Sequence, residues 1–203
     1  MKPIYLDYNA STPVLPEIVE AMLPFLTSEF GNPSSSHYYG MENLLAIEDA
    51  RFKLAELIDC DPGEIIFTSG GTESNNMAIK GLAYAKIKTG NHIITSAIEH
   101  PAVLEVCKFL ETRGFEVTYV PVDKEGVIKI DLLERAIRPS TILISIMHSN
   151  NEVGTLQPIA EIAEIAIKNH ICFHTDAAQS IGKVEIDVQK LKVDMMSIAG
   201  HKF

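Results

Sequence analysis

Short apolar runs alternate along this chain with longer segments in which apolar residues recur at helical spacing. The short runs predict β-strands at residues 64–68, 92–95, 116–120, 141–146, 171–175 and 194–198. Helical periodicity predicts helices over residues 72–88, 101–113, 131–137 and 158–169 between the strands. It also predicts two helices over residues 16–26 and 36–58, upstream of the first strand and without a strand between them. Pro101 suits a first helical position, and Asp131 is expected to cap the helix that follows it.

This alternation of strand and helix determines the predicted fold class. Strands separated by helices of about 10–15 residues favour crossover connections and a mainly parallel sheet. The chain is therefore predicted to be an α/β protein whose sheet carries helices on both faces. In such folds ligands bind beyond the carboxyl ends of the strands.

Charge and composition exclude some classes of partner. The 203 residues include 17 basic and 27 acidic side chains, a net charge of -10, which argues against nucleic acid and anionic membrane as partners. No stretch approaches the roughly 18 apolar residues needed to span a bilayer, and the N-terminus lacks the features of a signal peptide. Three widely spaced cysteines indicate neither a disulfide framework nor a metal site. We expect a cytoplasmic protein.

The first predicted strand is followed by a loop that suits a phosphate group. Residues 68–76 read Thr-Ser-Gly-Gly-Thr-Glu-Ser-Asn-Asn. The two glycines allow close approach of the backbone, and Thr72 offers a hydroxyl at a helix start, where N–H groups favour anions. An ordinary glycine turn with a helix cap explains the same residues.

Polar side chains also follow the other strands. His100 precedes a helix and can stack on a planar ring or move protons, although a surface histidine is equally consistent. Asn150 and Asn151 supply neutral donors and acceptors, or simply form a polar turn. Asp176 ends an apolar strand, where a carboxylate needs a partner or caps a helix; Gln179 lies one turn further on.

His201 and Lys202 follow the last predicted strand. Taken alone, a lysine is usually a solvated surface charge, but a partly desolvated amine can form a Schiff base. A phosphate cradle, a stacking histidine, an aspartate for a ring nitrogen and a reactive lysine together match pyridoxal 5'-phosphate. The pattern therefore predicts this cofactor.

Long motifs along the chain closely resemble the cysteine desulfurases of the NifS/IscS-like group, within the class V branch of fold-type I pyridoxal-phosphate enzymes. They occupy residues 5–13 (Tyr-Leu-Asp-Tyr-Asn-Ala-Ser-Thr-Pro), 30–37 (Phe-Gly-Asn-Pro-Ser-Ser-Ser-His), 67–76, 99–103 (Glu-His-Pro-Ala-Val), 145–154 (Ser-Ile-Met-His-Ser-Asn-Asn-Glu-Val-Gly), 174–180 (His-Thr-Asp-Ala-Ala-Gln-Ser) and 200–202 (Gly-His-Lys). The resemblance implies an N-terminal arm at residues 1–15 and a cofactor-binding large domain at 16–203, incomplete at its C-terminus.

The resemblance also implies a role for each site residue. Lys202 would form the Schiff base, Asp176 would pair with the pyridine nitrogen, and Gln179 would contact the ring's phenolic oxygen. His100 would stack over the ring and help to move protons, and Asn151 would contact cofactor and substrate. The phosphate would be held by Gly71, Thr72 and His201, with Gly200 beside them. No metal is expected.

The implied reaction converts L-cysteine to L-alanine and leaves the sulfur on an enzyme cysteine as a persulfide, for transfer to an iron–sulfur scaffold or another sulfur-acceptor protein. A homodimer is also implied. In the family the persulfide cysteine and a substrate-binding arginine come well after the lysine, and none of Cys60, Cys107 and Cys172 matches that cysteine. Ala199 also stands where the family commonly has a serine that touches the phosphate. We therefore expect the N-terminal portion of a longer desulfurase, with doubtful activity on its own.

Other functions remain open from the sequence. A selenocysteine lyase or a class V aminotransferase would use the same cofactor. A non-catalytic interaction fragment would keep the family's binding surfaces without the chemistry. A nicotinamide-dependent enzyme is disfavoured because the chain lacks a GxGxxG motif.

Overall fold

The computed structural model describes residues 3–202. The chain forms two compact units, Met1–Phe67 and Thr68–Phe203. The predicted domain boundary, between an arm at residues 1–15 and a large domain at 16–203, differs from the boundary between these two units. The arm and the large domain stay a prediction.

The first unit consists of two helices and one helical turn. Helix α1 spans Pro16–Thr27 and α2 spans Tyr38–Ile58, in agreement with the two helices predicted for this region. Helix α2 ends at Asp59, which adopts a left-handed conformation (φ 58°). A 3₁₀ turn at Pro62–Glu64 follows, capped reciprocally by Asp61 and Glu64.

The predicted strand at residues 64–68 is wrong. Glu64 closes the 3₁₀ turn, Ile65 after it is extended, and residues 65–68 belong to no strand. A strand exists only where a neighbour satisfies its backbone hydrogen bonds, and no strand among residues 3–202 pairs with this segment. An apolar run predicts extended backbone but cannot supply that neighbour.

The second unit contains a five-stranded sheet in which every neighbouring pair is parallel. Its spatial order is β2-β1-β3-β4-β5. The strands are β1 His92–Ser96, β2 Glu116–Val120, β3 Thr141–Ser145, β4 Cys172–Asp176 and β5 Met195–Ser197. The parallel sheet and its five strands confirm the predicted fold class.

One helix of the second unit precedes the first strand, and four others connect successive strands. They are α3 Gly71–Lys86, α4 Pro101–Glu111, α5 Ile130–Ala136, α6 Ile159–Lys168 and α7 Val188–Leu191, with a 3₁₀ turn at Gly200–Lys202 after β5. The short helix α7 was not predicted from the sequence. Asp131 is not a cap as predicted, because α5 already begins at Ile130 and Asp131 lies in its first turn.

Two apolar clusters lie on opposite faces of the sheet. Ile93 and Leu143 pack with Ile79 of α3 and Val106 of α4 in one cluster, whereas the next residues along each strand, Ile94 and Ile144, join the other. That second cluster includes side chains of α5 and α6. Successive side chains of a strand point to opposite faces, so a strand that is buried on both faces reads as a continuous apolar run.

Candidate functional site at the carboxyl edge of the sheet

Most of the predicted site residues follow the carboxyl ends of parallel strands. His100 follows β1, Asn151 follows β3, Asp176 ends β4, and Lys202 closes the 3₁₀ turn after β5. Because all five strands are parallel, these ends share one edge of the sheet. Gly71 and Thr72 begin α3, which packs against β3, β4 and β5.

Asp176 is the buried carboxylate of this edge, with 5% of its surface exposed. Both of its oxygens accept hydrogen bonds: Asn75 Nδ2 donates to Oδ2 at 2.7 Å, and the Ala178 backbone N–H donates to Oδ1 at 3.0 Å. The second bond is the local turn that an aspartate makes with the backbone two residues on. Both partners are N–H donors, which suits a carboxylate that acts only as an acceptor.

The N-terminus of α3 has the backbone geometry of an anion-binding site. The first N–H groups of a helix have no partner inside the helix, and those of Gly71 and Thr72 are among them. Ala199 lies close by, since a side chain at Gly71 would come within 3.5 Å of its Cβ. The Glu73 carboxylate accepts a 2.5 Å bond from the Ser69 backbone, and this bond lowers the pKa of Glu73.

His100 is the N-cap of α4, and its ring is half-buried. Its Nδ1 accepts a hydrogen bond from the Ala102 backbone N–H at 3.1 Å. In the neutral imidazole the proton therefore lies on Nε2, the nitrogen that remains available to a ligand. His100 therefore caps α4, a role that was not predicted from the sequence, and this cap does not engage Nε2.

Glu99, next to His100, was missed as a separate feature of the site. It is 4% exposed, and its Oε1 accepts bonds from Ser96 Oγ at 2.6 Å and the Met147 backbone N–H at 2.9 Å. Burial raises the pKa of Glu99 to about 8, opposed by these two hydrogen bonds and assisted by the charge of Asp176. A neutral carboxylic acid thus connects the ends of β1 and β3.

A chain of hydrogen bonds runs beneath the same edge and was also missed. His174 Nδ1 lies 2.9 Å from Ser145 Oγ and its Nε2 lies 3.0 Å from Ser197 Oγ, which in turn accepts from Ser74 Oγ at 3.0 Å. Burial lowers the pKa of His174 to about 4, with the charge of Asp176 opposing the shift. The ring is neutral at physiological pH and ties β3, β4 and β5 to α3. Only the alternation of side chains in β4 could have placed His174 on the same face as Asp176.

The two adjacent asparagines have different environments. Asn150 is buried; its Nδ2 donates to the Ile98 carbonyl at 3.1 Å and its Oδ1 accepts from the Glu152 and Val153 backbone at 2.9 and 3.1 Å. Asn150 therefore holds the turn, as the polar-turn interpretation predicted. Asn151, the predicted contact, is half-buried and donates to the Glu152 carboxylate at 2.8 Å.

Two lysines that follow neighbouring strands interact electrostatically: Lys183 comes after β4 and Lys202 after β5. Burial, and then the charge of Lys202, lower the pKa of Lys183. Lys183 Nζ donates to Gln179 Oε1 at 2.9 Å, which turns the amide N–H₂ of Gln179 away from Lys183. His201 and Gly200 are exposed, whereas Lys202 is half-buried.

None of the three cysteines has the environment of an activated thiol. Burial is the largest cause in each case: it raises the pKa of Cys60, of Cys172 and, to about 12, of Cys107. Acidic neighbours add to the shift, including Glu64 beside Cys60 and Glu99 beside Cys107. A raised pKa reduces the thiolate fraction on which sulfur chemistry depends.

The first unit has a cavity of its own. A cavity of about 460 Å³ in the first unit is lined by residues such as Phe25, Phe30, Ile47 and Phe67, and includes no predicted site residue. Across residues 3–202, no cluster of His, Cys, Asp or Glu could hold a metal ion. Within the same described range, no helix is long and apolar enough to cross a membrane.

Comparison with known proteins identifies the family. The sequence profile of the family described as aminotransferase class-V matches residues 4–203. The chain belongs to this family. The match spans nearly the whole sequence, so the resemblance noted from the motifs is confirmed.

The relatives of this class V chain are cysteine desulfurases. It is 57% identical over 202 residues to the cysteine desulfurase IscS of Dictyoglomus turgidum and 58% identical to that of Methanosarcina thermophila, covering 100% of this chain but 51% and 50% of those proteins. The human cysteine desulfurase is 52% identical over 203 residues, of which this chain spans 44%. The chain therefore spans about half the length of the curated relatives it matches.

Solved structures give the same relationship. The chain matches "SspA in complex with cysteine" with a TM-score of 0.95 and 49% identity, covering 98% of this chain and 57% of that one. A NifS-like protein matches with a TM-score of 0.96 and 44% identity, covering 98% and 55%.

Proposed function

We propose that this chain is the pyridoxal-phosphate-binding portion of a cysteine desulfurase, which takes L-cysteine to L-alanine and passes the sulfur to an enzyme cysteine. The observation that carries the proposal is the carboxyl edge of the sheet. There Asp176 is buried at the end of β4, α3 begins at Gly71, and half-buried Lys202 follows β5. Relatives named cysteine desulfurase, at 57% and 58% identity, favour this activity over the other activities of the family.

The chemistry of these side chains fits the cofactor. The N–H groups of Gly71 and Thr72, with His201 and Gly200, would hold the phosphate, and Asp176 would accept from the pyridine N–H. Gln179 would donate its amide N–H to the phenolic oxygen, since its Oε1 already accepts from Lys183. His100 would lie against the ring, and Asn151 would contact cofactor and substrate. When bound, the cofactor supplies an electron sink for the substrate's Cα electrons.

The residues of the chain would orient the reactants and move protons. Lys202 would hold the cofactor through a covalent bond to its carbonyl carbon. His100 Nε2 is the available ring nitrogen for proton transfer at the substrate, because Nδ1 is engaged by the helix cap. Among Cys60, Cys107 and Cys172 we assign none as the sulfur acceptor, because each thiol has a raised pKa. We further propose a homodimer that delivers sulfur to an iron–sulfur scaffold or another acceptor protein in the cytoplasm.

The test is covalent trapping of the cofactor. The purified chain is incubated with pyridoxal 5'-phosphate, reduced with borohydride and digested, and the modified peptide is identified by mass spectrometry. We expect the label on Lys202 and not on Lys183, the neighbouring lysine that serves as the matched control. A Lys202→Ala chain that still binds the cofactor covalently at a specific site would refute the assignment.

A second assay separates the alternatives. Release of sulfide and alanine from cysteine is compared with release of selenide and alanine from selenocysteine. The amount of cofactor bound per chain is measured first by borohydride trapping on a sample of the same preparation. Preference for selenocysteine would favour a lyase, and transamination without either product would favour an aminotransferase. A chain that binds cofactor but releases no more sulfide than free cofactor does would act as a non-catalytic fragment, an alternative that the raised cysteine pKa values favour.

A further inference from the structure

Asn75 is the buried partner of Asp176. It lies in the second turn of α3, is 1% exposed, and donates from Nδ2 to Asp176 Oδ2 at 2.7 Å. The Ala178 backbone accounts for the other oxygen. Asn75 is thus the side chain from another element that fixes the direction in which this carboxylate points.

Packing alone does not explain an asparagine at this position. Asn75 Oδ1 is buried and accepts no hydrogen bond from residues 3–202. A buried amide oxygen without a donor is unfavourable, and an apolar side chain of similar shape would avoid that cost. The hydrogen bond that Asn75 donates to Asp176 offsets the cost of this unpaired oxygen.

Docking of α3 on the sheet has a separate anchor. Ser74 Oγ donates to Ser197 Oγ at 3.0 Å, and Ser197 lies opposite Asp176 in the β4–β5 pair. Ser74 therefore ties the same helix turn to the sheet without touching the carboxylate. Substitutions of Ser74 and of Asn75 therefore test helix docking and orientation of Asp176 independently.

We propose that Asn75 is a positioning residue that acts through Asp176, holding its carboxylate toward the ring nitrogen of the cofactor. The inference rests on the proposed function. It predicts that loss of the Asn75 donor weakens binding only of a ligand that has a ring N–H for Asp176 to accept. A purely structural role in docking α3 would weaken all ligands of this site alike.

The experiment compares two cofactors on four chains. Dissociation constants are measured by equilibrium dialysis for pyridoxal 5'-phosphate and for its carbon analogue, in which C–H replaces the ring nitrogen. The chains are wild type, Asn75→Leu, Asn75→Asp and the matched control Ser74→Ala. The urea midpoint of each chain is measured without cofactor, so that a folding defect is recognised independently.

We expect Asn75→Leu to weaken pyridoxal 5'-phosphate binding by about tenfold, the size of one hydrogen bond to a charged group, and the carbon analogue by less than about twofold. Asn75→Asp replaces the donor by an acceptor and should weaken the natural cofactor further. Ser74→Ala should change both compounds by the same factor. Asn75→Leu removes the unpaired amide oxygen but also leaves buried Asp176 Oδ2 without its donor, so its urea midpoint should fall below that of the wild type, and the two dissociation constants are compared at urea-free conditions where the chain is folded.

Two results contradict the inference in different ways. Equal losses for both compounds in Asn75→Leu, or no loss for either, would refute the positioning role and leave the proposed function intact. A wild-type chain that binds neither compound would refute the proposed function and this role together.

Discussion

Glu99→Gln tests whether a neutral carboxylic acid lies within this sheet edge. The Glu99 carboxyl is 4% exposed and receives two donors on Oε1, while Oε2 has no partner among residues 3–202. Glutamine preserves the accepting oxygen and the shape and places N–H₂ where the acid carries its proton. The variant therefore changes the titration of the site with little change in its contacts.

The magnitude follows from proton linkage. Burial raises the pKa of Glu99 from 4.5 to about 8, so between these values the unfolded chain has released a proton that the folded chain retains. Stability then falls by about 1.4 kcal/mol per pH unit as pH rises, and levels off above pH 8. Glutamine does not titrate, so the free energy of unfolding of the wild type should about equal that of Glu99→Gln below pH 4.5. The wild type should be about 3 kcal/mol less stable than the variant at pH 7 and about 5 kcal/mol less stable above pH 8.

Urea unfolding followed by circular dichroism at pH 4.5, 7 and 8.5 measures this difference. All other titrating groups are shared by the two chains, including Asp176 and Cys107, which interact with Glu99. Glu105→Gln is the matched control: Glu105 pairs with Lys108 on the surface of α4, and its loss should cost less than about 1 kcal/mol. A Glu99→Gln chain that is less stable than wild type by a constant amount at every pH would show that Glu99 is ionised and refute the reasoning.

Three further predictions concern reactivity, the cofactor cradle and the core. Cys107 should resist a thiol reagent until the chain unfolds, because burial raises its pKa to about 12. Half-buried Cys60 should react slowly in the folded chain, and fast labelling of Cys107 would contradict this prediction. Ala199→Ser should tighten binding of pyridoxal 5'-phosphate up to about tenfold by adding a donor beside Gly71, and unchanged dialysis affinity would show that the backbone already suffices. Ile162→Ala should lower the free energy of unfolding by about 3 kcal/mol, since Ile162 is fully buried between α6 and the sheet, whereas Ile167→Ala on the exposed part of α6 should cost less than about 1 kcal/mol in the same urea experiment.

Local sequence pattern was sufficient for the elements that fill the core. Strand β2 occupies Glu116–Val120 as predicted, and α4 begins at Pro101, because apolar periodicity and a proline at the first helical position act within a few residues. The segment at 64–68 shows the limit of this reasoning. Its apolar residues predict an extended backbone, but pairing depends on a neighbour that is distant in sequence.

The candidate site shows the same division. Asp176 and Lys202 were predicted as site residues because each lies at or after the end of a strand, and the carboxyl ends of parallel strands share one edge. Asn75 and Glu99 belong to motifs that were recognised in the sequence, but no role was predicted for either residue. The neighbouring sequence does not indicate that Asn75 reaches Asp176 or that Glu99 is buried.

The sequence by itself determined that this is a parallel α/β protein of the class V family, with strand-end residues suited to one cofactor. The tertiary structure decided which polar side chains are paired and which are neutral. Asn75 and Asp176 are 101 residues apart, and Ser74 and Ser197 are 123 apart. Burial and hydrogen bonding between such distant residues arise only when the helices pack on the sheet, and burial is what raises the pKa of Glu99 and lowers that of His174.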